Sequence, residues 1–433
     1  MITLIEARNF RMLRYIRQPL DAFHVLVGPN ASGKTTFLDV ISFLGDIVST
    51  DIDTAIRKRS PNYYDLTFNG EGGAIELAVE ALIPTEIRAA LWNPAADTIR
   101  YEVRVAFDPK RQEHQLVTER IYLFAAAEAS VLDAEAPSTE LPLPETIIRR
   151  VFGDTRRKLD ENSHRPTLWR YSVGGVGLQS EMPFAKESGA DKRLLSLNFQ
   201  DKKRSLVHTL AALYHRSEVP ATFWLIDLLT RNIRPLSIEG HRLRNPSAPG
   251  QGVAFLPDGS NLPWVIAALR QEDERRFQYW LDHLRTALPD IADIRTVERP
   301  EDRFRYLVIQ YANGAAVPSW LVSDGTLRLL ALTLTAYVRG FTGIYLLEDP
   351  ENGIHPLALE TVYHSLSSVY DAQLLLATHS PVVLGLVKTR EILCFTKTAE
   401  NTAAIVRGDQ HPALQDWKGS ISLSTLFASG VLE

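Results

Sequence analysis

"FHVLVGPNASGKTTFLDVISFLG", residues 23–45, decides the fold. A short apolar run, Val25, Leu26 and Val27, meets a glycine turn. After the turn Phe37, Leu38, Ile41 and Leu44 recur at helical spacing. Gly28-Pro29-Asn30-Ala31-Ser32-Gly33-Lys34-Thr35, followed by Thr36, fits G-x-x-x-x-G-K-[ST] in the strand–loop–helix context that the motif requires. Its glycines let backbone N–H groups curl around an anion with no Cβ in the way. The helix N-terminus beyond adds unpaired donors and partial positive charge. The motif predicts that Lys34 reaches the β- and γ-phosphates of a nucleotide and that the Thr35 hydroxyl ligates Mg2+.

A phosphate loop needs a second element, an acid at the carboxyl end of a neighbouring strand to hold the metal, and another carboxylate to position water. "IYLLED", residues 344–349, supplies both, with Glu348 on the magnesium side and Asp349 on the water side. "LLLATHSP" ends a second buried strand at His379, placed to hydrogen-bond a γ-phosphate or the attacking water. In "VSDGTLRLLALTL" the turn Ser323, Asp324, Gly325 opens an apolar helix, another ready anion site. Both strands are apolar throughout and separated by helical pattern, which indicates a parallel sheet covered on both faces.

The bulk numbers bound the rest. The chain has 433 residues, 45% hydrophobic and 23% charged, with a formal net charge of −5. That size predicts two or three domains, and the charge gives no global case for nucleic acid. A single cysteine, Cys394, excludes an internal disulfide framework and a cysteine-rich zinc site, and fits a reducing compartment. "MITLIEARNFRML" gains Glu6, Arg8 and Arg11 before a signal-peptide core could form, and no apolar run is long enough to span a bilayer. The expectation is a cytoplasmic protein with no membrane association.

Along the chain, "AIELAVEA" alternates Ile75, Leu77 and Val79 with Glu76 and Glu80. "IRYEVRVAF" sets Ile99, Tyr101, Val103, Val105 and Phe107 against Arg100, Glu102 and Arg104. The pattern predicts an antiparallel sheet with one wet face. Residues 125–147, rich in Ala, Glu and Pro, read as a mobile linker. Residues 261–290 read as one amphipathic helix, or two broken near Gln271, and Asn313-Gly314 signals a hairpin. The fold class expected is α/β, a P-loop head of mostly parallel sheet with helices on both faces plus an antiparallel β subdomain, and a mixed, largely helical insertion. The domains expected are 1–125 and 300–433 for the two parts of the head and 126–299 for linker and insertion.

Five pieces in order, "GPNASGKTT", "DGSNLPWVI", "SDGTLRLLAL", "LLEDPENGIHP" and "ATHSP", resemble the ABC-type ATPases of the RecF, SMC and OLD (overcoming lysogenization defect) group. The branch they look most like is that of stand-alone ATPases of bacterial anti-phage operons, whose chain ending is similar to "LSTLFASGVLE". The resemblance covers residues 1–83 and 230–433. It implies ATP and Mg2+ as cofactors and two heads that sandwich ATP, so that the turn after Ser323 in one head touches the γ-phosphate held by Lys34 of the other. It also implies that "PENGIHP", with Asn352 and His355, is the D-loop along the dimer seam, and that His379 is the switch histidine.

The family order is Asp then Glu, and this chain reverses it. Glu348 still reaches the hydration shell of the ion, whereas Asp349 is one methylene short for positioning water. Slow hydrolysis is therefore expected, or a part for Glu351. The expected partners are a second copy or larger homo-oligomer, a separately encoded effector such as a nuclease, and a DNA or phage-derived trigger. The alternative is a RecF-like repair ATPase whose output is DNA binding. A transporter subunit is disfavoured by "SDGT" at the signature and by the long insertion. The stretch beyond His379 carries no clustered acids and is short for a TOPRIM nuclease module, so no nuclease is expected in cis.

Other candidates are weaker. Asp51-Ile52-Asp53 reads as a solvated turn rather than a metal pair. The basic clusters at 149–150, 156–158, 192–193 and 202–204 read as wet surface, or as a phosphate-backbone contact. Phe10 and Tyr15 are guesses for an adenine platform. His241, Arg242 and Arg244 in "IEGHRLRNP" have no assigned role.

Overall fold

The computed structural model describes residues 1–91, 93–126, 143–148, 168–170, 176–178, 202–213, 215–415 and 423–428. The basic clusters at 149–150, 156–158 and 192–193, and most of the expected linker, lie outside them. Two compact units divide the chain. The first comprises Met1–Asp21, Asn30–Ile233 and Lys397–Ile405, and the second Ala22–Pro29, Arg234–Thr396 and Val406–Glu433.

The first unit is built on a seven-stranded sheet. Its strand order is Leu13–Pro19, Ile2–Phe10, Ile75–Leu82, Thr98–Asp108, Glu113–Phe124, Leu168–Arg170, Val176–Leu178, and every pairing is antiparallel. The apolar alternates Ile75, Leu77, Ile99, Tyr101 and Val103 are buried, as the pattern requires. The helix Lys34–Ser49 buries Phe37, Ile41 and Leu44 and stacks Phe43 on Phe10 at 5.6 Å.

The expected wet face is not wet. Glu6, Glu76, Glu80, Arg100 and Glu102 on the charged alternates are all buried. Arg100 binds Glu6 at 2.8 Å, Glu80 at 3.0 Å and Glu102 at 3.0 Å, and donates to the Ile147 carbonyl. Glu119, in register with Val103 on the apolar face, accepts from the Tyr101 and Ser205 hydroxyls and the Leu206 amide, whereas on the charged face Glu76 accepts from the Thr146 hydroxyl and the Ile147 amide. Segments from beyond residue 143 thus cover the face. The charges survive burial because each is paired or hydrogen-bonded.

In the second unit the parallel sheet is as expected. Its strands Ile392–Lys397, Phe23–Val27, Gln373–Ala377, Ile344–Glu348 and Ile233–Leu236 follow one another in the sheet. The pairs of Phe23–Val27 with both its neighbours, and of Ile344–Glu348 with Gln373–Ala377, are parallel. Val25, Val27, Ile344, Leu347, Leu374 and Leu376 are buried, so successive residues on both faces are dry. The amphipathic stretch is two helices, Leu262–Glu272 and Glu274–Ala287, broken where Asp273 caps the second through the Arg276 amide. Trp280 is buried between them and the helix Asp324–Leu334, its indole N–H donating to Thr333. The Asn313-Gly314 hairpin joins Arg305–Tyr311 to Ala316–Pro318, with Gly314 at φ 86°.

Candidate functional site

The chain passes from the second unit to the first inside the phosphate loop, between Pro29 and Asn30. On the second-unit side Gly28 takes φ 146°, and a Cβ there would lie 2.2 Å from the Phe395 carbonyl oxygen, so no other residue fits. On the first-unit side Ala31 and Gly33 also have positive φ, 60° and 102°, which curls the backbone. Gly33 caps the 16-residue helix Lys34–Ser49 with no side-chain hydrogen bond, and the positive end of the helix dipole lies at this terminus. Lys34 is buried and Thr35 exposed at that terminus. The Ser32 hydroxyl is buried and has no hydrogen-bond partner among the described residues. A buried orphan donor in a glycine-curled loop fits an anionic phosphate group.

In the second unit three adjacent strands end together. Val27 precedes Gly28; Leu26 is in register with Ala377, and Ala377 with Glu348. Thr378 and Asp349 prolong the ladders, the Thr378 amide donating to Leu26 and the Asp349 amide to Ala377. Ligands of open parallel sheets bind at such carboxyl ends. Glu348 is exposed there, an oxygen donor of the kind Mg2+ takes. Asp349 adopts φ 46°, a left-handed conformation that Asp tolerates better than most residues. Among the described residues no group of three or more His, Cys, Asp or Glu forms a metal cage. The thiol of Cys394, in register with Val27, is pushed up to about 12 by burial and is a packing group.

Glu351 is tied in more firmly than the sequence suggests. One oxygen accepts from the Thr378 hydroxyl at 2.7 Å and from the His379 amide at 2.8 Å; the other is buried with no partner among the described residues. Ser323 caps the helix Asp324–Leu334 through the Thr326 amide. A Cβ on Gly325 would meet the Gly353 carbonyl at 2.5 Å, and Arg328 donates to the Asn352 carbonyl at 3.1 Å. The turn at 323–325, the segment 351–355 and His379 are therefore one packed train within this unit.

Several weaker candidates resolve. Asp51 caps the helix Ile52–Arg57, and Asp53 pairs with His114 at 2.7 Å and Lys203 at 3.1 Å, so these acids are a cap and an ion pair rather than a solvated turn. Lys203 of the basic cluster is thereby engaged. Phe10 is fully buried, which removes it as an adenine platform, and the Tyr15 hydroxyl donates to Glu6. Arg244 binds Asp324, a relationship separated by 80 positions in sequence that no local pattern could reveal.

A phosphate loop at the head of a parallel sheet, with acids and a histidine at the ends of the adjacent strands, gives the chain the fold of an ABC-type P-loop ATPase head. The chain belongs to the family described as "AAA domain, putative AbiEii toxin, Type IV TA system", which it matches over residues 23–117 and 178–385. No curated protein matches it. Among solved structures it resembles the SmcHead bound to the C-winged helix domain of ScpA, with a TM-score of 0.51 and 12% identity over 94% of this chain and 96% of that one. The Smc head domain with an extended coiled coil, bound to the C-terminal domain of ScpA derived from Pyrococcus furiosus, gives 0.48 and 13% over 100% and 98%. The SMC head domain from Thermotoga maritima gives 0.43 and 10% over 94% and 98%. At these identities the likeness concerns the fold. No helix among the described residues is long and apolar enough to cross a membrane.

Proposed function

We propose that this chain binds Mg-ATP through Gly28–Thr36, that two copies close around the nucleotide, and that slow hydrolysis resets the closed state. Lys34 contacts the β- and γ-phosphates, and Thr35 and Glu348 hold the metal. Ser323, Gly325 and the backbone amide of Asp324 of one copy meet the γ-phosphate held by the other. When bound, Mg-ATP supplies an electrophilic phosphorus whose charge the metal spreads. The chain's own work is to orient: Asp349, or alternatively Glu351, holds the attacking water, and His379 hydrogen-bonds it or the γ-phosphate. The observation that supports this most is the meeting of Gly28, Glu348 and His379 at the ends of three adjacent parallel strands.

Because Asp349 is one methylene short of the usual water-positioning acid, turnover is slow, which suits a switch better than a motor. We read the closed state as a signal to a separately encoded effector, a nuclease, in anti-phage defence in the bacterial cytoplasm, with DNA or a phage-derived molecule as the trigger. The family description names a toxin–antitoxin system, and a head of similar fold is bound by a separate protein; both support a partnered role.

Lys34→Ala tests the reading. Hydrogen bonds to charged groups contribute about 1.5–3 kcal/mol, so ATP affinity is expected to fall roughly 10–100-fold and ATP-dependent association with it. Parental affinity in the variant would overturn the assignment.

A further inference from the structure

The turn at 323–325 holds an apparent contradiction. Asp324 stands in the first turn of its helix with its side chain 54% exposed, where the reading above brings an anionic phosphate. A carboxylate at a helix N-terminus is stabilising in itself, but it competes for the same positive end that a phosphate would use.

We propose that Arg244 is a positioning residue for this turn, neutralising Asp324 so that the turn accepts a phosphate from a second copy of the chain. The inference rests on the two-headed reading. The Arg244 Nε lies 2.6 Å from the Asp324 Oδ1, and its Nη1 donates to the Trp320 carbonyl at 3.1 Å. The guanidinium therefore bridges the two ends of the approach to the helix. Its own backbone is fixed: the buried Ser319 hydroxyl donates to the Arg244 carbonyl at 2.9 Å, and Ser247 exchanges backbone hydrogen bonds with Arg305. The short helix Gly240–Arg244 that carries it lies against Asp324 closely enough that a Cβ on Gly240 would sit 2.8 Å from the Asp324 carboxyl carbon. A loose surface pair would need none of these constraints. Built this way, the turn, whose Ser323 hydroxyl donates to the Thr326 hydroxyl at 2.8 Å, meets a phosphate without a net negative charge beside it.

The full-length chain is compared as parent, Arg244→Ala, Arg244→Lys, and Arg244→Ala with Asp324→Asn. The readouts are ATP affinity of dilute monomer, ATP-dependent association by analytical ultracentrifugation, and turnover split into kcat and KM, with thermal unfolding confirming that each variant is folded. Arg244→Ala is expected to weaken association and turnover about tenfold or more, as an uncompensated charge near a phosphate should, while monomer ATP affinity holds. Arg244→Lys keeps most of both, and adding Asp324→Asn to Arg244→Ala restores them to within about threefold. A double variant as poor as Arg244→Ala, or an Arg244→Ala chain that behaves like the parent, overturns the proposal. A parent that binds ATP through Lys34 yet never associates overturns the two-headed reading instead, and this inference with it.

Discussion

The carboxylate of Glu351 accepts the backbone N–H of His379 at 2.8 Å, joining two residues 28 positions apart. The same oxygen takes the hydroxyl of the buried Thr378, and its twin has no partner among the described residues. Glu351→Ala strands both donors, at a cost of about 1–3 kcal/mol each in stability. Glu351→Gln keeps an acceptor but loses the charge. We expect denaturant unfolding to separate them, with the alanine variant clearly less stable and the glutamine variant close to the parent, while ATP turnover falls in both. Full turnover in Glu351→Gln would show that its negative charge takes no part in the reaction.

Asp349→Glu tests the reversed order of the acids. The added methylene is expected to raise kcat, by up to about 100-fold if reach is the whole deficit. Glu suits the left-handed conformation at φ 46° less well than Asp, so stability should drop by roughly 1–2 kcal/mol. Single-turnover kinetics together with a melting curve check both halves.

A pH dependence follows from His283, whose imidazole meets the Tyr337 hydroxyl at 3.0 Å. Burial, helped by the nearby His364, holds its pKa below the usual 6.5. As pH falls through 6.5 the unfolded chain takes up this proton before the folded one does, so stability declines until the folded pKa is passed. Urea unfolding at about pH 7.5 and about pH 5.5 should show the loss, and His283→Gln should reduce it.

Arg100→Met removes a cation that Glu6, Glu80 and Glu102 share. Taking away one partner of a buried ionic cluster is expected to destabilise the first unit by about 3–5 kcal/mol. Adding Glu80→Gln and Glu102→Gln should recover part of that loss, measured by the same unfolding curves.

What could be read in the sequence was local. Val25–Val27 with Gly28 and the helix after it, the apolar strands ending at Glu348 and Ala377, the Asn313-Gly314 turn and the break at Asp273 are each written within a few residues. What could not be read was cover and long-range pairing. Glu76 and Glu80 alternate with apolar residues as on a solvated sheet, and only segments from beyond residue 143 make that face dry. Asp53 looks like surface until His114 and Lys203 arrive from 61 and 150 positions away. Arg244 appeared without purpose because Asp324 is equally remote.

The strand Phe23–Val27 is flanked by Gln373–Ala377 on one side and Ile392–Lys397 on the other. Its hydrogen-bonding neighbours thus leave the ribosome long after the strand itself. Parallel pairing across such a separation is slow, and until it happens an apolar strand with two open edges must be kept from other nascent chains. The phosphate loop that follows Val27 therefore acquires its support late, only once residues 373–397 have been synthesised.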